Sequence, residues 1–151
     1  MSDSYIELIP QVPAFVPTQE AVRKAVRLLE EIAADAWSVT ADVSQDIKFR
    51  DCGENFESVS CPECGTPLLN SWWSERMSDD YNGEGFTLSS VQLPCGHTVA
   101  SLNELKYDWE QGFSKFALTA MNPNIGGLEP SETAALEECL GCKLRVIYCH
   151  T

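Results

Sequence analysis

The chain is short of histidine and of positive charge. Only His97 and His150 are present, and ten lysines and arginines stand against 23 aspartates and glutamates, a formal net charge of −13. Two histidines leave little room for His-dependent acid–base catalysis, and less if one of them binds a metal. So large a deficit of cations opposes binding to nucleic-acid phosphates or anionic lipid and favours a cationic partner. No apolar run approaches the roughly 18 residues of a membrane-spanning helix. Met1-Ser2-Asp3-Ser4 has neither the basic start nor the apolar core of a secretory leader, so a reducing cytoplasm is the expected compartment. A Gly-rich phosphate loop, a Gly-x-Ser-x-Gly elbow and a paired-His metalloprotease helix are all missing. Internal repeats and low-complexity tracts are missing too.

What is present is 151 residues with 44% apolar content, enough for one globular domain with an inserted subdomain. The charge is uneven. Residues 1–54 carry ten acids and five bases, residues 55–112 nine acids and two bases, and residues 113–151 four acids and three bases. The middle stretch is therefore the most acidic, at net −7. Acidity of this kind serves solubility in any protein, so a partner surface needs further support.

Tyr5 to Ile9 reads as a strand stopped by Pro10, with Pro13 and Pro17 spacing an extended loop. Thr18 is a good N-cap for a helix over 19–35, whose Val22, Ala25, Val26, Leu29, Ile32, Ala33 and Ala36 form one apolar stripe. Gln45 to Arg50 alternates as a second strand. Phe113 to Met121 is a third, with Phe116, Leu118 and Ala120 on one face and Phe113, Ala117 and Met121 on the other. A short helix over 132–140 ends on Gly141, and residues 143–149 close the chain as a strand. Strand, helix, strand, strand, helix, strand is the order of an α+β, ferredoxin-like βαββαβ sandwich. Its expected extent is 1–54 and 113–151, with 55–112 inserted between the second and third strands.

The insert has a different character. Glycine, serine, acids and cysteine are frequent, and its apolar content looks too low to hold a shape unaided. Leu69 to Arg76 and Phe86 to Leu93 read as the two arms of a β-hairpin around the polar tip 78–85, with a knuckle of metal ligands at each outer end. Those ligands are Cys61, Cys64, Cys95 and His97. A Cys-x-x-Cys turn offers two sulfurs to one ion, and three thiolates with one imidazole suit a tetrahedral zinc. Four such ligands close the shell, so the zinc is read as structural. Cys139 and Cys142, a second Cys-x-x-Cys pair, compete with Cys95 and His97; the bland reading buries them in the core. A thioredoxin-like dithiol at Cys61 and Cys64 would need a helix N-terminus, which this turn-rich stretch does not offer.

The segment Cys61-Pro62-Glu63-Cys64-Gly65 resembles the first knuckle of zinc ribbons. Leu93-Pro94-Cys95-Gly96-His97 is a less typical second knuckle, with one residue between the ligands, and also resembles the middle of RING domains, whose remaining ligands this chain lacks. The zinc-ribbon resemblance covers about residues 56–100. It implies a metal-held hairpin and no activity.

Aromatic residues concentrate in the same acidic insert. Trp72 and Trp73, beside Asp79, Asp80, Tyr81 and Glu84, could form a protein-recognition surface; equally, both indoles could pack between insert and sandwich. The favoured expectation is a non-enzymatic, acidic protein-binding module with a structural zinc, engaging or neutralising a basic protein. An enzyme on the ferredoxin-like scaffold and a nucleic-acid-binding zinc ribbon remain the alternatives, the latter opposed by charge.

Overall fold

The computed structural model describes residues 2–151; Met1, the first residue of the stretch read as carrying no leader, lies outside them. Along the chain the elements are β1 (Ser4–Pro10), α1 (Gln19–Ile32), β2 (Ser38–Arg50), β3 (Ser58–Ser60), β4 (Pro67–Leu68), α2 (Asn70–Asp80), β5 (Val91–Gln92), β6 (Val99–Ala100), a 3-10 turn (Leu102–Glu104), β7 (Lys106–Asp108), β8 (Gly112–Met121), α3 (Pro130–Leu140) and β9 (Leu144–His150). Four of the strands form one sheet in the order β2-β8-β1-β9, with every neighbouring pair antiparallel. The result is a mixed α/β protein with antiparallel sheets.

Alternation along the strands decides what each face of this sheet covers. Ile6, Leu8, Phe116, Leu118, Ala120 and Leu144 point to one side and meet Ala25 and Leu29 of α1 and Leu136 and Leu140 of α3. Thr18 caps α1 as its type demands, its hydroxyl oxygen accepting from the Ala21 amide at 3.2 Å. The helix stops at Ile32, three residues before the expected Asp35, because the chain must turn for the Trp37 amide to donate to the Met121 carbonyl at 2.9 Å. β2 begins seven residues earlier than its apolar alternation suggests. Ser38 to Val43 is a largely exposed edge segment held by its ladder to β8, and such a backbone-held edge leaves little hydrophobic trace.

On the opposite face, Ile9, Ala117 and Ile147 are buried beneath Cys52 and Phe56, where the chain leaves β2. Residues 51–111 lie between β2 and β8 in sequence. Contacts at both edges bind them to the sheet. Between Val43 and Lys48 the register of β2 shifts, and the lifted segment offers the Ile47 carbonyl to the Phe86 amide at 2.9 Å. The approach is close enough that a Cβ on Gly85 would stand 2.7 Å from the Asp46 Cβ and 2.8 Å from the Ile47 oxygen, so only glycine fits. At the other edge the Arg145 guanidinium of β9 donates to the Gln111 carbonyl at 2.6 Å and the Asn103 carbonyl at 3.1 Å, with Glu110 at 3.3 Å.

The insert departs from its expected form in two ways. Leu69 to Arg76 is not a strand. Most of it lies in α2, and Phe86 to Leu93 contributes only the two residues of β5. Adjacent tryptophans read as strand by propensity. Tertiary packing overrides that: Trp73 and Met77, four apart, lie on one side of a helix against the apolar cluster. Nor is the insert poorly cored. Val59, Leu68, Leu93, Leu102, Leu105, Tyr107 and Phe113 are buried together. Trp73 stacks on Phe56 at 5.2 Å, meets Tyr107 edge-on at 6.1 Å and donates its indole N–H to the Tyr107 hydroxyl. The apolar residues of this cluster are scattered over 55 positions, so no window of the sequence displays them.

Candidate metal centre

The hairpin expected to carry one knuckle at each end is replaced by two small hairpins that face each other. β3 and β4 flank the first knuckle, where the Cys61 amide donates to the Thr66 carbonyl at 2.9 Å and the Gly65 amide to the Cys61 carbonyl at 3.0 Å. β5 and β6 flank the second, closed by the Leu93 amide on the Thr98 carbonyl and the Gly96 amide on the Leu93 carbonyl, both at 2.9 Å. Gly65 and Gly96 take φ of +73° and +80°, the left-handed turn residues each knuckle needs.

Three sulfurs converge between the turns. The Sγ atoms of Cys61, Cys64 and Cys95 lie within 4.8 Å of one another, with Cys61 and Cys95 at 3.9 Å. That separation is far beyond a disulfide bond of about 2.05 Å. It is close to the edge of a tetrahedron whose metal–sulfur bonds are about 2.3 Å, roughly 3.8 Å. The donor set therefore fits a thiophilic metal ion. Cys61 is fully buried, Cys95 half-buried and Cys64 exposed. The Cys61 thiol is held down to about 6, chiefly by the backbone amide of Cys64, which favours the thiolate a metal requires. Burial pushes Cys52 and Cys142 up, and Cys149 up to about 12. Cys139 and Cys142 pack on the α1–α3 side of the large sheet, away from the cluster, as the bland reading expects.

His97 does not join the three cysteines. It is exposed, and among the described residues the group of potential ligands within 4.8 Å is Cys61, Cys64 and Cys95 alone. The residue that turns inward is Thr98, 3% exposed, whose Oγ1 sits 3.2 Å from the Cys61 Sγ and donates to the Glu63 carboxylate at 3.2 Å. Spacing hinted at this. Thr98 follows Cys95 by three residues as Cys64 follows Cys61, and the inward position of a hairpin knuckle goes by register, not by ligand chemistry.

The aromatic and acidic residues of the insert divide. Trp72 and Trp73 are half-buried against the insert core. Asp80 is occupied in holding a loop, its carboxylate accepting from the Leu88 and Ser89 amides at 2.8 and 2.9 Å and from the Thr87 hydroxyl at 2.9 Å. Asp79 pairs with Arg76 at 2.9 Å. Tyr81 (47% exposed) and Glu84 stand at the surface. Trp109 joins them, 45% exposed between Asp108 and Glu110 and held at φ +58°, a conformation a bulky residue adopts only when its surroundings impose it.

A second cluster lies on the large sheet. Glu7, Arg50, Asp51, Thr119 and Cys149 line a shallow cleft on the face away from the helices. Burial raises the Glu7 carboxyl above its ordinary 4.5, against the opposing pull of Arg50 and of Thr119, whose hydroxyl donates to it at 3.1 Å. A carboxyl raised in the folded state adds stability below its ordinary range and loses it as pH rises through the higher folded value. Glu7→Gln is therefore expected to raise the melting temperature at pH 7 and to leave it unchanged at about pH 3.5, where both forms are neutral. Equal shifts at the two pH values would count against the assignment.

Among the described residues no helix is long and apolar enough to cross a membrane. No protein-family model, no curated protein and no solved structure matches the chain.

Proposed function

We propose that the chain is a small acidic binding module of the cytoplasm, with a structural zinc at Cys61, Cys64 and Cys95, that docks a basic protein partner through its insert. The observation that carries this reading is the convergence of three thiol groups from two facing turns. Three soft sulfur donors with no carboxylate among them select zinc over magnesium or calcium. They also damp the Lewis acidity that metal-assisted hydrolysis needs, which supports a structural role. The facing knuckles support the zinc-ribbon resemblance, and the order β2-β8-β1-β9 under two helices supports a ferredoxin-like sandwich as the carrier.

The partner surface follows from exposure and charge. Residues 55–112 carry net −7, and Tyr81 and Trp109 stand out among their acids. Exposed Tyr and Trp are the side chains most often found as hot spots, and a one-signed field steers an oppositely charged protein. The expected experiment is affinity capture with the tagged chain at low and high salt, followed by binding measurements on the protein recovered. A partner of high pI is held at low salt and released at high salt, and Trp109→Ala weakens it by roughly 2 kcal/mol, about 30-fold. A monomer that retains nothing at any salt concentration sinks the proposal. Zinc identity is read separately by elemental analysis of the purified protein, where iron in its place would revise the metal and not the fold.

The Glu7 cleft supports a second reading, an enzyme on the open face of the sheet. A half-buried carboxyl whose titration is raised by desolvation is a recurrent mark of functional sites. The stabilising effect expected of Glu7→Gln is the cost that this reading requires.

A further inference from the structure

Two knuckles of equal span face each other across the cysteine cluster, and they are not equally equipped. The first presents Cys61 and, three residues on, Cys64. The second presents Cys95 and, three residues on, Thr98. The place a fourth thiolate would take belongs to a threonine. Its hydroxyl is already engaged, 3.2 Å from the Cys61 sulfur and 3.2 Å from the Glu63 carboxylate. A neutral alcohol is not among the donors that zinc takes in four-coordinate protein sites. His97, the only imidazole nearby in sequence, is exposed and outside the cluster, and no other His, Cys, Asp or Glu among the described residues joins it. The cluster is also open on one side, since Cys64 is exposed and Cys95 half-exposed. A tetrahedral ion held by three sulfurs here has one vertex with no thiolate, imidazole or carboxylate to fill it, and an outside ligand approaching past the exposed Cys64 would compete there with the Thr98 hydroxyl alone.

We infer that the metal centre is a three-thiolate site whose fourth position is exchangeable and takes a neutral imidazole from outside the chain. The inference rests on the proposed metal loading and adds to it what the metal is for. Charge selects the ligand class. Three thiolates on a divalent ion leave a local charge of −1, Glu63 adds another carboxylate beside it, and the surrounding insert is strongly acidic. An incoming anion is repelled by this field, whereas an uncharged nitrogen donor is not. Imidazole is also a preferred zinc ligand. A histidine on the surface of a basic partner meets both requirements, which would make the metal a point of contact as well as a clasp.

Cobalt(II) tests this, because its visible spectrum reports the fourth ligand in a tetrahedral thiolate site. The full chain is loaded with one equivalent of cobalt and titrated with imidazole and, separately, with azide. Expected are thiolate-to-cobalt charge-transfer bands in the unliganded form, a saturable shift of the ligand-field bands with imidazole, and no shift with azide at the same concentrations. His97→Ala is expected to bind the same equivalent of cobalt with an unchanged spectrum and an unchanged imidazole response. Thr98→Cys should place a fourth sulfur on the ion, move the bands to those of a four-thiolate site and abolish the response to imidazole. A wild-type spectrum insensitive to imidazole that becomes sensitive in His97→Ala would show that His97 closes the shell, and would overturn the inference while leaving the metal reading intact. A shift with azide as large as that with imidazole would overturn the ligand class. Failure of the wild type to bind cobalt at all would overturn the metal reading itself, and the inference with it.

Discussion

Cys61→Ser is expected to empty the metal centre, taking bound zinc from about one equivalent per chain to near none. Cys61 is the buried member of the cluster, and it lies 3.9 Å from Cys95. Its thiol is also pulled down to about 6, while Cys64 and Cys95 stand nearer the surface. Serine keeps the shape and removes the thiolate. Elemental analysis reads the metal, and amide exchange reads the consequence. Protection should fall in the turns themselves, residues 62–66 and 94–97, which contribute little to the apolar cluster that buries Val59, Leu68 and Leu93 on either side. It should persist in α2 and around Tyr107, because the stack of Phe56, Trp73 and Tyr107 does not need the ion. Retention of a full equivalent by the variant, or less than about half an equivalent in the wild type, would remove Cys61 from the site.

Phe113→Ala is expected to be the most destabilising single truncation outside the metal centre, at about 4 kcal/mol. That is a large share of the roughly 5–15 kcal/mol that holds a domain of ordinary stability. Phe113 is fully buried at the start of β8, with Phe49 at 5.1 Å and Phe86 at 5.0 Å between ring centres. Phe49 belongs to the edge strand of the large sheet and Phe86 to the insert, so the ring is a shared wedge. Its removal leaves a cavity with walls from both parts, and rigid walls collapse poorly. Urea denaturation followed by tryptophan fluorescence and by far-UV circular dichroism measures the loss. Both signals should move to lower urea together. A loss below about 1 kcal/mol would mean that insert and sheet do not share this core.

The large sheet and its two helices are legible for a plain reason. Their apolar residues recur at the spacing of the element that carries them: Ala25 and Leu29 in α1, and Phe116, Leu118 and Ala120 in β8. Caps and stops were equally local, as Thr18 and Gly141 show. The insert resisted the same treatment. Trp72-Trp73 favours a strand when read alone and lies in a helix because Trp73 and Met77 gain more by packing against the insert core. Nothing near residue 73 in sequence announces Phe56 or Tyr107.

By itself the sequence determined the pair of thiols in a Cys-x-x-Cys turn, the two helices on the large sheet and the strong acidic charge, because each depends on residue type and short spacing. Tertiary structure decided which donors meet. It brought Cys95 to Cys61 across 34 residues, turned Thr98 inward and left His97 in solvent. Ligand geometry is settled by where two separate hairpins are packed, and the contacts that pack them come from residues distant along the chain.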